Sequence, residues 1–361
     1  MVAEVAEPGR GSLAGLLKPR VEIPAPLEYP RIEPLEPLEP GEERPFWSVM
    51  IPTYNRTDYL EATLRSVLAQ DPGPERMQIE VVDNASTRGD AEEIVRRVGG
   101  GRVTLYRQPE TVPAYENWNS CVRRARGRWV HVLHDDDLAL PGMYARYQAL
   151  IEANPGATLV TGPCRVIDQA GAGDEVSAAM EPRDGPVADF AVRQATRNWL
   201  IPPSVVIARE AYERVGGFCG FVRHTIDWEL FHRVGAAGKV LTTAEPFAAY
   251  RVHAASETDV LAHTGRHVRD AILTVDLCCG RLPEAERARL GPGRYRAVCE
   301  LAKHFAWGLI RGRQLRGGMR NATLALRLSP ADNAGFWVRS AAKCVLYGVM
   351  GAPGRPGPSR G

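Results

Sequence analysis

The chain has 361 residues, 44% of them hydrophobic and 24% charged, the make-up of a soluble globular protein with one large domain or two modest ones. A formal net charge of +2 gives no electrostatic case for nucleic-acid binding, and no nucleic-acid module signature accompanies it. Seven cysteines without a CxxC pair exclude a disulfide framework and read as reduced thiols.

Residues 1–44 are rich in proline and glutamate, with the short repeat Leu35-Glu36-Pro37-Leu38-Glu39-Pro40. Such a segment lacks helix and ladder donors, so it is expected to be an extended or disordered arm outside the core. The N-terminus lacks the basic-then-apolar layout of a signal peptide, and no apolar stretch reaches the ~18 residues of a membrane span, so a cytosolic location is expected.

From Trp47 the pattern becomes strand, turn, helix, repeated, the signature of an α/β domain with a largely parallel sheet over residues 45–260. Val49-Met50-Ile51 reads as a first strand stopped by Pro52. Asp58 with Glu61 three residues on resembles a capping box opening a helix, with Leu60, Leu64, Val67 and Leu68 on one face. Ile79 to Val82 reads as a second strand ending at Asp83, and Val103 to Tyr106 as a short third. A helix from about Tyr115 to Ala125 leads to a fourth strand, Trp129-Val130-His131-Val132-Leu133, which runs into His134-Asp135-Asp136-Asp137. The next helix is expected to open at Pro141, a favoured first-turn residue.

Apolar strands rarely end in stacked carboxylates without an oxyphilic cation nearby, so the aspartate run points to Mg²⁺ or Mn²⁺ and phosphate chemistry. Ligands of open α/β sheets lie beyond the carboxyl ends of strands, so Asp83 and the aspartate run are expected to face one crevice.

Residues 261–350 read as a basic helical appendage, with helices near Arg266 to Cys279, Tyr295 to Ile310 and Phe336 to Val349. Basic glycine-rich turns, Arg311-Gly312-Arg313 and Arg316-Gly317-Gly318, are expected between them, and 351–361 as a disordered tail. The last helix suits packing against the catalytic domain, and its Trp337, Val338, Arg339, Lys343, Val345, Leu346 and Tyr347 are also compatible with peripheral contact at the inner face of an anionic membrane.

Five elements in order resemble the family-2-type glycosyltransferases of the GT-A fold. These are Val49-Met50-Ile51-Pro52-Thr53-Tyr54-Asn55-Arg56, Val81-Val82-Asp83-Asn84-Ala85-Ser86, the aspartate run at the place of a DxD-type motif, Gly216-Gly217-Phe218 with Asp227-Trp228-Glu229-Leu230, and Tyr250-Arg251-Val252-His253-Ala254-Ala255-Ser256. The resemblance covers about Trp47 to Ser256. It implies transfer of a sugar, with inversion, from a nucleotide-diphosphate sugar to a hydroxyl acceptor (a sugar, a lipid-linked glycan or another), in polysaccharide or glycoconjugate biosynthesis. By the same resemblance Pro52 and Tyr54, with Asn55 and Arg56, hold the nucleotide, Asp83 accepts from the base, and Asp135 lies near the ribose. Asp136 ligates the metal, with Asp137 and His253 as further candidates, and Arg251 closes over the diphosphate. Asp227 is the candidate base, with Glu229 the fallback, although two residues on along the same helix it is expected to point elsewhere. Ile201-Pro202-Pro203-Ser204 is expected on the acceptor side, with Trp199 either a sugar platform or core. His134 occupies the first position of the DxDD form, where an acid is commoner.

Two other functions fit parts of the pattern. A sugar nucleotidyltransferase also uses a nucleotide-binding α/β domain, but Pro52-Thr53-Tyr54-Asn55-Arg56 lacks the glycine of its phosphate loop. A catalytically silent sugar-nucleotide-binding or scaffolding subunit is the third, against which Asp83, Asp136 and Asp227 weigh.

Overall fold

The computed structural model describes residues 28–253 and 263–349. In chain order the first half contains β1 (Trp47–Thr53), α1 (Leu60–Leu68), β2 (Met77–Asp83), α2 (Ala91–Gly99), β3 (Thr104–Arg107), α3 (Ala114–Arg124), β4 (Trp129–Val132), β5 (Leu138–Ala139) and α4 (Met143–Glu152). There follow β6 (Ala157–Thr161), β7 (Cys164–Ile167), β8 (Gly185–Pro186), α5 (Phe190–Thr196), β9 (Val206–Ala208), α6 (Arg209–Val215), α7 (Ile226–Ala236), β10 (Lys239–Thr242) and β11 (Ala248–Arg251). The C-terminal helices are α8 (Arg266–Gly280), α9 (Glu284–Leu290), α10 (Arg296–Arg311), α11 (Leu315–Leu328) and α12 (Pro330–Val349).

The main sheet runs β3-β2-β1-β4-β9-β6-β10-β8. β3, β2, β1 and β4 are parallel, as the strand–helix alternation implies, whereas β9 is antiparallel to both β4 and β6. Every residue of β1 and β2 is buried, as expected of strands covered on both faces. The period-2 alternation sorts them: Val49, Ile51, Ile79 and Val81 pack under α1, α2 and α4, while Met50 and Val82 pack with Cys121, Tyr212 and Leu230 from α3, α6 and α7. A small second sheet, β5-β11-β7, lies beside the end of β4. The C-terminal helices are docked to the domain, where Val268, Val275 and Cys278 of α8 bury with Ala195, Trp228, Val298 and Ala302.

Several local expectations are corrected. Pro52 does not end β1, which pairs with β2 through Thr53. Met50 faces β4, its carbonyl accepting from Leu133 N–H at 3.0 Å, so Pro52 two residues on turns its missing N–H to that side, beyond the last paired residue of β4. The capping box at Asp58 does not form: the helix starts at Leu60 after Tyr59, with no side-chain cap. Gly142, at φ 87°, precedes the next helix, so Pro141 stays outside its first turn. Arg316-Gly317-Gly318 lies within α11 and is no turn. A Cβ on Gly318 would stand 2.5 Å from Ile310 Cγ1, so the glycine serves the close approach of α11 to α10. The last helix begins at Pro330, six residues before Phe336. The N-terminal arm is not wholly outside the core either: Ile32 is fully buried with Met50, Val122 and Tyr212, and the backbone of Leu35 donates to Glu213.

Candidate active site

A cleft of about 1010 Å³ opens beyond the carboxyl ends of β1 and β4. Pro52, Tyr54, Arg56, Asp135, Asp136 and Asp227 all line it, although β1, the β4 loop and α7 are far apart in sequence. Its opposite wall comes from the loop before β9 and from the N-terminal and middle turns of α10, including Leu301 and His304.

The aspartate loop follows β4 directly and is held from three sides. Thr53, the last residue of β1, donates its hydroxyl to Asp135 Oδ2 at 2.6 Å. The Thr63 hydroxyl of α1 lies 3.0 Å from the Asp135 carbonyl and 2.8 Å from that of Asp137. Arg251, at the end of β11, donates its backbone N–H to Asp137 Oδ1 at 2.9 Å and its Nε to the Asp136 carbonyl at 2.8 Å.

Arg56 is the central counter-charge. Its Nη2 stands 2.7 Å from Asp135 Oδ1 and 2.9 Å from Asp136 Oδ2. Burial works against the charge of this guanidinium, but the aspartates outweigh it and its pKa is raised. Burial pushes the Asp135 carboxyl up. Asp136 goes the other way: its burial is overcome by Arg56, His134 and His253, which hold its carboxyl below the usual range. Asp137 is pushed well above that range by burial and by Asp136 beside it. One loop thus carries carboxylates of opposite disposition, as expected where neighbouring charges divide titratable groups into roles.

His134, Asp136 and Asp137 bring one ligand atom each within 4.8 Å of one another, a separation suited to a shared cation. Asp137 Oδ2 is buried without a hydrogen-bond partner and faces His134 Nδ1 at 3.9 Å. Such an orphaned buried oxygen beside a second carboxylate fits a divalent metal. The His134 ring is fixed by stacking on Trp118, centroids 5.3 Å apart. His253 instead sits against the other side of the site, its Nε2 3.0 Å from both Asp136 Oδ2 and Arg56 Nη1. The substitution that departs from the DxDD pattern therefore supplies a donor to the cluster.

Other expected site residues are placed as follows. Asp83 is fully buried and outside the cleft lining; its Oδ2 pairs with Arg107 Nε at 2.7 Å and its Oδ1 accepts from Ser86 N–H at 3.1 Å. Asn84, next to it, lines the cleft and exchanges two hydrogen bonds with Val112, at 2.8 and 2.9 Å. Asn55, at φ 53°, accepts from the N–H groups of Thr87 and Arg88, so its side chain fastens the following loop. Arg251 lines the cleft, but its guanidinium donates to the Asp136, Asp168 and Gln169 carbonyls and lies over Tyr59. It secures the aspartate loop where extension toward a diphosphate was expected. Ser256 lies outside the described residues.

Asp227 sits in the first turn of α7, where its Oδ1 accepts from Trp228 N–H at 2.8 Å. Burial raises its pKa, moving the carboxylate toward the range of a general base near neutral pH. Its position follows from the loop before it: Asn119 of α3 exchanges hydrogen bonds with the Phe218 backbone, and a Cβ on Gly217 would stand 2.2 Å from Asn119 Oδ1. Glu229 faces away and pairs with Arg233 and Arg281 at 2.8 and 2.7 Å. Arg197, Ile201 and Pro202 reach the cleft, whereas Trp199 lies outside its lining, packed on the core with Arg197 over its ring at 4.4 Å.

Sequence reasoning overlooked Thr53, Thr63 and the convergence of Arg56 on two aspartates. Thr53 stands inside the Pro52–Arg56 motif, but nothing in the spacing announces which carboxylate its hydroxyl meets.

A mixed sheet with a switch in strand direction at β9, and an acidic loop after β4, are the arrangement of the GT-A fold. Residues 48–216, just under half of the chain, match the model of Glycosyl transferase family 2. The chain is 29% identical over 238 residues to the Mycobacterium tuberculosis protein MT1568, covering 63% of this chain and 73% of that one. It is 25% identical over 264 residues to the Myxococcus xanthus O-antigen biosynthesis protein RfbC, covering 67% of this chain and 20% of RfbC. The structure of Staphylococcus aureus TarS 1–349 in complex with UDP-GlcNAc superposes with a TM-score of 0.55 at 13% identity, covering 83% of this chain and 88% of that one, a likeness of fold.

Proposed function

We propose that the chain transfers a sugar from a nucleotide-diphosphate donor to a hydroxyl acceptor with inversion, in assembly of a polysaccharide or another glycoconjugate. The observation that carries this is the convergence of the β1 loop, the aspartate loop and Asp227 on one cleft. Relatives support the setting: RfbC is named for O-antigen biosynthesis, and the TarS structure holds UDP-GlcNAc.

Pro52, Tyr54 and Asn84 border the nucleotide end, and Asp83 beneath them fixes the loop of Ser86 through its hydrogen bond. A divalent cation, Mg²⁺ or Mn²⁺, held by Asp136 with Asp137 and His134, would offset the charge that grows on the departing diphosphate. Arg56, already beside Asp135 and Asp136, adds a fixed positive charge at the same place. Asp227 takes the proton of the acceptor hydroxyl as that oxygen forms its bond to the anomeric carbon. The bond from that carbon to the diphosphate oxygen breaks on the opposite face, and its electron pair leaves with the nucleoside diphosphate. Arg251 and Thr63 hold the aspartate backbone in place while charge shifts.

The test is Asp227→Asn. Loss of a positioned base lowers turnover by roughly 10²–10⁴-fold while donor affinity stays within about twofold. Native-like turnover by this variant would remove Asp227 from the mechanism.

A further inference from the structure

The last helix carries a face that the described residues leave bare. Val338, Ala342, Val345 and Leu346 of α12 recur at helical spacing and are all exposed, Val345 at 67% and Leu346 at 54%. Ala331 and Ala334 extend the same exposed stripe toward the start of the helix. The opposite face is the packed one: Asn333 and Ser340 are buried, and Trp337 Nε1 donates to Thr323 of α11 at 3.0 Å.

The charge around this stripe is mostly basic, with Asp332 the exposed acid on the helix. Between Arg296 and Val349 the sequence has nine lysines and arginines against only Glu300 and Asp332, while the rest of the chain is net acidic. Arg339 is exposed at the edge of the stripe. Beside it Lys343 Nζ stands 3.9 Å from the centre of the Trp307 ring, and Arg311 lies over the same ring at 5.1 Å. An apolar stripe with a basic and aromatic edge is the arrangement by which a helix lies in the plane of an anionic lipid surface. None of the helices among the described residues is long and apolar enough to cross a membrane, so the contact is with its surface.

We infer that the outward face of α12, with the Trp307, Lys343 and Arg311 edge, is a docking surface for an anionic membrane. Two other occupants fit less well. Residues 351–361 are Gly, Pro, Ser and Arg with a single Ala, and contain no large apolar side chain to pack on valine and leucine. A second copy packed antiparallel on the same face across a two-fold axis would set one basic edge near another, which like-charge repulsion opposes. The surface is also suitably placed. α10 lines the cleft with Leu301 and His304 and carries Trp307 and Arg311 further along, so about 15 Å of helix, from Leu301 to Arg311, joins cleft and lipid edge.

The test is vesicle flotation of the full chain, with phosphatidylcholine vesicles and with phosphatidylcholine–phosphatidylglycerol mixtures, at low and high salt. The readout is lipid binding and is independent of sugar transfer. The native chain is expected to float with the anionic vesicles only and to be released by salt. Val345→Asp with Leu346→Asp, both at exposed positions, is expected to weaken binding by about tenfold or more with the thermal midpoint unchanged. Arg339→Gln is expected to weaken it less and to flatten its salt dependence. Failure of the native chain to float with anionic vesicles would overturn the inference. Equal flotation by the double variant would do the same, as would a native dimer that the double variant converts to monomer.

Discussion

Replacing Arg56 by Gln removes the positive charge shared by Asp135 and Asp136 while keeping a hydrogen-bonding side chain of similar reach. The two contacts measure 2.7 and 2.9 Å, and the Asp135 side chain is only 6% exposed. Breaking a fully buried pair destabilises by about 3–5 kcal/mol. Here the arginine side chain is 29% exposed and His253 remains beside Asp136, so the expected loss is roughly 2 kcal/mol. A divalent cation supplies charge at the same carboxylates, and in the variant it no longer competes with the guanidinium for Asp136. Its affinity in the absence of donor is therefore expected to tighten about tenfold, which is ~1.4 kcal/mol of extra stabilisation at saturation-level metal. The assay is urea unfolding of native and Arg56→Gln chains with and without Mn²⁺. A variant as stable as the native chain without metal, and gaining no more from Mn²⁺, would refute the assignment of Arg56 as the built-in counter-charge of this cluster.

Stability should also respond to pH through two buried histidines. His131 is fully buried, Nε2 donating to the Pro203 carbonyl at 3.0 Å and Nδ1 accepting from Tyr144 at 3.1 Å, and burial pushes its pKa down to about 4. Burial pushes His232 down to about 4 as well. Their folded pKa values lie below the unfolded value near 6.5, so the unfolded chain binds more protons between those limits. The stabilisation is complete above about pH 6.5 and is lost as pH falls toward about 4, by roughly 3 kcal/mol at most for His131. Unfolding midpoints measured across that window in the native chain and His131→Asn should show a shallower slope in the variant; equal slopes would exclude His131. In the C-terminal helices, Gly318→Ala is expected to destabilise by about 1–3 kcal/mol, because its Cβ would meet Ile310 Cγ1 at 2.5 Å. Gly308→Ala, with nothing within 4 Å, is expected to stabilise by about 0.5–1 kcal/mol. Chemical denaturation of both distinguishes close packing from helix propensity, and a stabilising Gly318→Ala would remove the packing argument.

Much of the fold was legible because its strands are short apolar runs punctuated by turn residues, and burial on both faces leaves few ways to arrange them. The aspartate run, the β1 motif and Asp227 were visible for the same reason: each stands at the end of a strand or the start of a helix. Directions of long side chains were not. Arg251 has the composition of a phosphate ligand, yet carbonyls of the loops after β4 and β7 capture its donors. His253 and His134 could not be told apart from spacing, since only the stacking of His134 on Trp118 and the turn after β4 decide which histidine meets Asp137. Local propensity failed where tertiary contact overrode it. Pro52 remains in a strand because its neighbour has ended, Gly317 and Gly318 remain in a helix because another helix passes close, and Ile32 is core in a segment whose composition argues for none.

The most direct test of the central claim is binding of UDP-, GDP- and dTDP-sugars by calorimetry, with and without Mn²⁺, to the native chain and to Asp136→Ala. Binding of one donor class that requires the metal, and falls by about tenfold or more in the variant, is expected if the aspartate loop holds a cation against a diphosphate. Donor binding that is indifferent to both metal and Asp136, or no binding of any donor, would contradict it.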